Sequence, residues 1–234
     1  MKKLAILCTA FIILLSSCHF TTGSGNIVTE NRQAGNFTGI NISNGFEAEV
    51  KIGSATEVKV EADDNVMKYI KTEISGNTLT IRIEDMHGIN NAHLKAYITM
   101  PVLNSIHASG GADVKVLDAV KGNDKLTFKS SGGADIEADV EAPEVEAEAS
   151  GGAGVKLSGK TKNYKAQASG GAGINSNDLL SETTDASASS GAHTNVYASV
   201  SLKAAASSGG TVNYSGAGAV DKSESSGGSV YKKD

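Results

Sequence analysis

The sequence contains no tryptophan, two prolines, two cysteines and two arginines, Arg32 and Arg82. Each shortage excludes something. Without tryptophan, and with both arginines in the front half, the chain is poor in the aromatic platforms and basic residues that a polysaccharide-cleaving site wants. Cys8 and Cys18 both fall in the first 18 residues, so no disulfide can staple the remainder. The fold must rest on backbone pairing and core packing, for which more than 200 residues suffice. Positive charge is also short. The net charge is −5, which leaves no electrostatic footprint for nucleic acid. The acid reads as spread along the chain, a matter of solubility. Long apolar runs are missing except Leu4 to Leu15, which falls short of the roughly 20 residues a membrane-spanning helix needs.

That one run has a setting. Lys2 and Lys3 precede it, and Leu15-Ser16-Ser17-Cys18 follows it. A basic start, a short apolar stretch and small residues before a cut make a secretory signal over residues 1–17. Leu-Ser-Ser-Cys resembles the bacterial lipobox, in which the cysteine is acylated and becomes the first mature residue. Cys18 is therefore the expected lipid anchor and membrane contact. Loss of Lys2 and Lys3 with the signal moves the net charge from −5 to −7. Residues 18–26, small and polar, read as a flexible tether. Residues 19–24 carry no acidic run of the kind that resembles a surface-export signal, so the expected location is the outer membrane, periplasmic face.

What is abundant is glycine, 27 residues, much of it in one phrase. Ala108-Ser109-Gly110-Gly111-Ala112-Asp113-Val114 recurs with its second glycine at 111, 133, 152, 171, 191, 209 and 227. The steps are 22, 19, 19, 20, 18 and 18, and such a period in a Gly-rich, Pro-poor chain points to a solenoid. The flanks alternate with period two, as in Leu126/Phe128 before a turn and Val155/Leu157 after one, which means strands. The predicted fold is all-β: a parallel β-solenoid, with regular rungs over 108–234. Gly111, Gly133, Gly152, Gly171, Gly191, Gly209 and Gly227 are the expected positive-φ corners. Ser109, Ser131, Ser150, Ser169, Ser189, Ser207 and Ser225 stand beside them. They read as a structural ladder whose hydroxyls bond one another or corner backbone groups, with a serine-lined binding strip as the alternative. Residues 27–107 have longer alternating strands, a helix candidate at 64–71 capped by Asp63 or Asp64, and a degenerate corner at Ser43-Asn44-Gly45. They read as irregular rungs closing one end, part of the same domain. At the other end, Lys222, Glu224, Lys232 and Lys233 sit where earlier rungs are small or apolar, as on a guarded strand edge.

Phe37-Thr38-Gly39-Ile40-Asn41, the valine-rich strands after it, Tyr97 to Leu103 and the Ser-Gly-Gly-Ala-Asp corners together resemble the auto-transporter adhesin family with a head GIN domain, a domain of unknown function in bacterial envelope lipoproteins. The likeness covers about residues 35 to 234. It implies a right-handed parallel β-solenoid (β-helix) in the cell envelope and brings no catalytic or cofactor residues.

Other motifs have plainer readings. Gly154-Val155-Lys156-Leu157-Ser158-Gly159-Lys160-Thr161 matches the Walker A pattern, but a phosphate cradle needs a loop opening a helix, and this stretch falls inside a rung. No nucleotide is expected. Asp113 and Asp135 stack one rung apart, a weak candidate for Ca²⁺ with only two carboxylates in the column. The five histidines show no zinc spacing, and the corner serines show no nucleophile elbow. The expectation is a non-enzymatic binding module with an unknown protein or glycan partner. An envelope scaffold is the second reading and a polysaccharide-processing β-helix the third.

Overall fold

A strand of alternating residues that runs into Ser-Gly-Gly turns there, because consecutive positive φ values break the extended conformation. The computed structural model describes residues 19–85, 87–122, 124–216 and 218–233; Cys18 and the signal segment lie outside them. In the third copy of the phrase, the Ala153 N–H donates to Ser150 O (3.3 Å) across Gly151 and Gly152, whose φ values are 64° and 81°. This is the φ signature of a type I′ turn. The same bond closes all seven copies, from Ala112 to Ser109 through Gly228 to Ser225. In the last three copies Ser190, Ser208 and Ser226 take the first turn position at φ of 54°, 49° and 48°, a conformation costly for a residue with a Cβ.

The fold is all-β, with one short helix among the described residues. The front half comprises β1 (His19–Thr22), β2 (Ile27–Arg32), β3 (Gly39–Ile42), β4 (Glu47–Ile52), β5 (Glu57–Asp63), α1 (Asp64–Met67), β6 (Ile70–Ser75), β7 (Thr78–Ile83), β8 (His87–Asn90) and β9 (Leu94–Met100). The repeats supply β10 (Ser105–Ser109), β11 (Asp113–Val116), β12 (Val120–Lys121), β13 (Lys125–Ser131), β14 (Asp135–Ser150), β15 (Gly154–Ser169), β16 (Gly173–Ser176) and β17 (Leu179–Ser189). They end with β18 (His193–Tyr197), β19 (Ser201–Ser207), β20 (Thr211–Ser215), β21 (Ala219–Glu224) and β22 (Ser229–Lys232). Strands before the corners stack in parallel as β3, β10, β13, β14, β15, β17, β19 and β21. Strands after the corners stack as β4, β11, β14, β15, β16, β18, β20 and β22. The architecture is a parallel β-solenoid of about seven turns.

Pairing crosses residue 107 without a break. Ser43-Asn44-Gly45 is a true corner, with φ of 62° and 74° at Asn44 and Gly45, and the Gly45 N–H donates to Gly110 O (3.0 Å). The next rung in sequence, β7 with β9, lies beneath β3 and β4 rather than above them. Antiparallel strands finish that end: β6 on β7, and β5 then β2 on β9. From β6 to β21 the pre-corner face holds ten strands, about 45 Å at the usual strand spacing.

Two expectations for the front half are corrected. The helix stops at Met67, because Ile70, Thr72 and Ile74 begin a period-two strand against β7, and Asp63 makes no side-chain cap. The segment read as a tether is docked: β1 pairs with β8 over four residues, and Ser24 to Asn26 hydrogen-bond to Asp63, Asp64 and Asn65. A polar composition suits either state, and here the partners are supplied from forty residues away.

Inward side chains are large at the base, with Ile40, Phe46, Leu79 and Phe128 fully buried, and become alanine at 147, 166, 186 and 204 in the upper column. Buried hydroxyls among them are paired: Tyr164 Oη with Ser176 Oγ (2.9 Å), and Thr184 Oγ1 to Tyr197 O (2.9 Å).

Outward charges zip the rungs together. β14 carries acids between basic neighbours: Lys125 to Glu146 (2.7 Å), Lys165 to Glu146 (3.0 Å), Lys129 to Glu148 (2.9 Å), Lys156 to Glu137 (2.8 Å) and Lys160 to Glu141 (3.0 Å). One column alternates in sign over five levels: Glu146, Lys165, Asp185, Lys203, Asp221. The acid that reads as spread is placed rung by rung. Hydrogen bonds from Lys125 and then Lys165 hold the Glu146 carboxyl at about 2.

Two outcomes are expected. At Gly152 a Cβ meets nothing within 4 Å, so Gly152→Val is penalised by conformation alone, about 1–3 kcal/mol, and its melting temperature should fall by about 2–10 °C. Ser208→Gly relaxes the same strain and should leave it unchanged or raise it; an unchanged Gly152→Val would remove the positive-φ account. For Glu146, whose side chain is 12% exposed, the depressed pKa stabilises the fold above its ordinary value of 4.5 and ceases to do so as pH falls towards 2. With its lysines half in water, Glu146→Gln should lower stability at pH 7 by about 1–2 kcal/mol. In urea titrations the gap between wild type and variant should close between pH 4.5 and 2.

Candidate functional site

The corner exposes a strip on each side. On the pre-corner side, residues two before each serine stand in register one above another: Asn41, His107, Lys129, Glu148, Gln167 and Ser187. With Ser109, Ser131, Ser150, Ser169 and Ser189 they line an open trough of about 620 Å³. The column crosses six rungs, about 24 Å. Its character changes with height, from a histidine through a Lys129–Glu148 ion pair (2.9 Å) to an amide and a hydroxyl. Burial, and then the charge of Lys129, hold the His107 pKa below its ordinary value, against the pull of Glu148.

Among the described residues, the hydroxyls of the seven corner serines make no hydrogen bond to one another. Rungs about 4.8 Å apart place equivalent oxygens beyond bonding distance, and the turn satisfies its own amide through the serine carbonyl. The lower five line the trough instead.

On the post-corner side, Asp113 and Asp135 stack as expected, and Glu47 lies in register beneath them, so three carboxylates share the column. Burial, then repulsion from Asp135 and Glu47, pushes the Asp113 carboxyl above its ordinary range. Among the described residues no three acidic, histidine or cysteine side chains converge as a metal site. Above Asp135 the column is Gly154, Gly173 and His193. The Asp135 carboxylate leans over Gly154 from below, and His193 leans over Gly173 from above, with Nε2 2.6 Å from where a Cβ would stand. The groove between them holds about 500 Å³.

The Walker-like segment 154–161 is strand, paired residue by residue from Asp135–Gly154 to Ala142–Thr161. It opens no helix, so it lacks the converging amides of a phosphate cradle. Gly159 is glycine because a Cβ there would strike Val140 O. His87 is taken by Thr21 (2.9 Å) and stacks on Tyr69, and His93 by Glu61 (2.7 Å).

The trough column went unread in the sequence, although laying the repeats over one another two residues before each serine would have exposed it. Glu47 was missed because its neighbour Asp113 is 66 residues away.

No curated protein matches the chain by sequence. Among solved structures, a putative adhesin from Bacteroides fragilis superposes with a TM-score of 0.82 at 22% identity, over 91% of this chain and 99% of that one. A putative adhesin from Parabacteroides merdae gives 0.73 at 16%, over 92% and 100%. A putative lipid binding protein from Parabacteroides distasonis gives the same TM-score, identity and coverage. At these identities the likeness is one of fold. The family model described as putative auto-transporter adhesin, head GIN domain, matches residues 36–218, and the chain belongs to that family.

Proposed function

We propose that the protein is a lipoprotein of the cell envelope, anchored through Cys18, and that it is a non-enzymatic binding module, an adhesin, whose contact surface is the trough beside the corner serines. The six-rung trough carries this reading. It is open along its length and offers donors and acceptors at a regular rise, which suits an extended polymer better than a small molecule. The serines repeat the same setting at each level, and among the described residues no histidine is hydrogen-bonded to one, so no rung is singled out for chemistry. Membership of an adhesin family agrees with an envelope location, and no helix of the described residues is long and apolar enough to cross a membrane. The partner class is a glycan or a matrix protein, and the proposed location is the outer membrane.

A scaffold role is the second reading, favoured by one observation. β21 is exposed at all six positions, and β21 and β22 are each paired on one side among the described residues. Such an edge can accept a strand from another protein.

Two measurements test the first reading. Wild-type protein on arrays of glycans and matrix proteins should bind at least one class, and the double variant Lys129→Ala, Gln167→Ala should weaken that binding about tenfold or more. Binding that both changes leave intact would move the contact elsewhere. Cys18→Ala should abolish palmitate incorporation and release the protein from membranes. A variant still labelled and membrane-bound would overturn the anchor.

A further inference from the structure

We infer that the β2/β5/β6 end of the column sits directly on the lipid surface, so that the column stands out from the membrane instead of swinging on a tether. This rests on the proposed acylation of Cys18. One peptide bond separates Cys18 from His19, the first residue of β1, and a residue spans at most about 3.5 Å. Slack could come only from the segment after it, and that segment is held. β1 pairs with β8 over four residues, and the Gly23 N–H donates to Asn90 O (3.1 Å). Asp63, 2% exposed, accepts from the Gly25 N–H (2.6 Å) and the His93 N–H (2.7 Å). Asp64 accepts from Ser24 Oγ (2.6 Å) and Asn26 Nδ2 (2.8 Å). Asn65 accepts from the Ser24 N–H (3.1 Å) and donates to Thr22 O (2.8 Å). Freeing the segment would break these bonds together, the Gly25 one to a buried carboxylate, and so many joined contacts hold it in place. At Gly23 the backbone lies so close that a Cβ would approach Asp63 Oδ2 to 2.7 Å and Asn91 O to 2.8 Å.

The place of this latch in the fold sets the orientation. Asp63 to Asn65 join β5 to α1 at the antiparallel end, and β21 and β22 form the other end, about 45 Å away. With the acyl chains in the bilayer and the glycerol at its surface, Phe20 lies within about 10 Å of the lipid. Phe20 is 63% exposed and its ring rests over Gly88, while Ile27 on β2 and Ile74 on β6 are also exposed at this end. Apolar groups there suit a membrane interface.

The protein has no tryptophan, so one introduced tryptophan reports alone. Residues 18–234 contain the whole described fold and one cysteine, Cys18. That chain is coupled through Cys18 to phosphatidylcholine vesicles containing a maleimide lipid and brominated phosphatidylcholine as quencher. Phe20→Trp should lose half or more of its emission, and Tyr231→Trp, at the far end, should lose almost none. Inserting twenty Gly/Ser residues between Cys18 and His19 gives a span of about 25 Å and should restore the Phe20→Trp emission. Three results would each overturn the inference: no quenching at position 20 with native spacing, equal quenching at 231, or quenching at 20 that survives the insertion. Chemical coupling bypasses natural acylation, so the vesicle result judges the seating. Failure of palmitate to label the wild-type protein in cells would instead defeat the anchor and, with it, the seating in the cell.

Discussion

Everything in this fold depends on two neighbouring residues adopting positive φ at every corner. The turn must occupy the same four residues at each level, or the rung above would slip by one and expose its apolar face. Because Gly151 and Gly152 and their counterparts allow it, Ser150 pairs with Ser131 below and Ser169 above, and every side chain meets its own repeat equivalent. Stacking like on like is harmless for alanine or valine and damaging for charge. The alternation of Glu146, Lys165, Asp185, Lys203 and Asp221 answers that second case, and Glu47, Asp113 and Asp135 show the unrelieved one, with Asp113 harder to ionise.

The same stacking makes the candidate site. A single rung presents one outward residue two positions before its serine, too little to recognise anything. Six rungs present a row about 24 Å long, fixed in spacing by backbone hydrogen bonds rather than by side-chain packing. The row can change composition without disturbing the fold, because its residues face away from the core. This separation lets a family keep one architecture while its members present different surfaces.

The sequence revealed the corners and the strand period because both are local: glycine pairs and alternation can be seen within a dozen residues. It concealed whatever required a partner at a distance. The helix at 64–71 carried a helical signal, yet from Ile70 onwards the β7 strand outbid it. The segment 19–26 looked unattached because its holders, Asp63 to Asn65 and β8, lie 40 to 70 residues on. The charge columns were legible in principle, since the repeats align at known steps, but only once they are read across rungs instead of along the chain.

The β7/β9 rung lies below β3 and β4 although it follows them in sequence, and this governs the order in which the column can be assembled. The first rung of the chain is an interior one. Its lower neighbours end at Met100 and its upper neighbours begin at Ser105, so both faces stay uncovered until about a hundred residues are present. Growth by adding rungs to a finished end, the simple route for a repeat protein, is therefore open only from β10 onward. Closing the antiparallel end is a separate event between distant segments, with its own loop-closure entropy. Once it has formed, each later rung needs to find only the one before it, about 19 residues back. The base is thus closed by distant segments and the column above it by neighbouring ones.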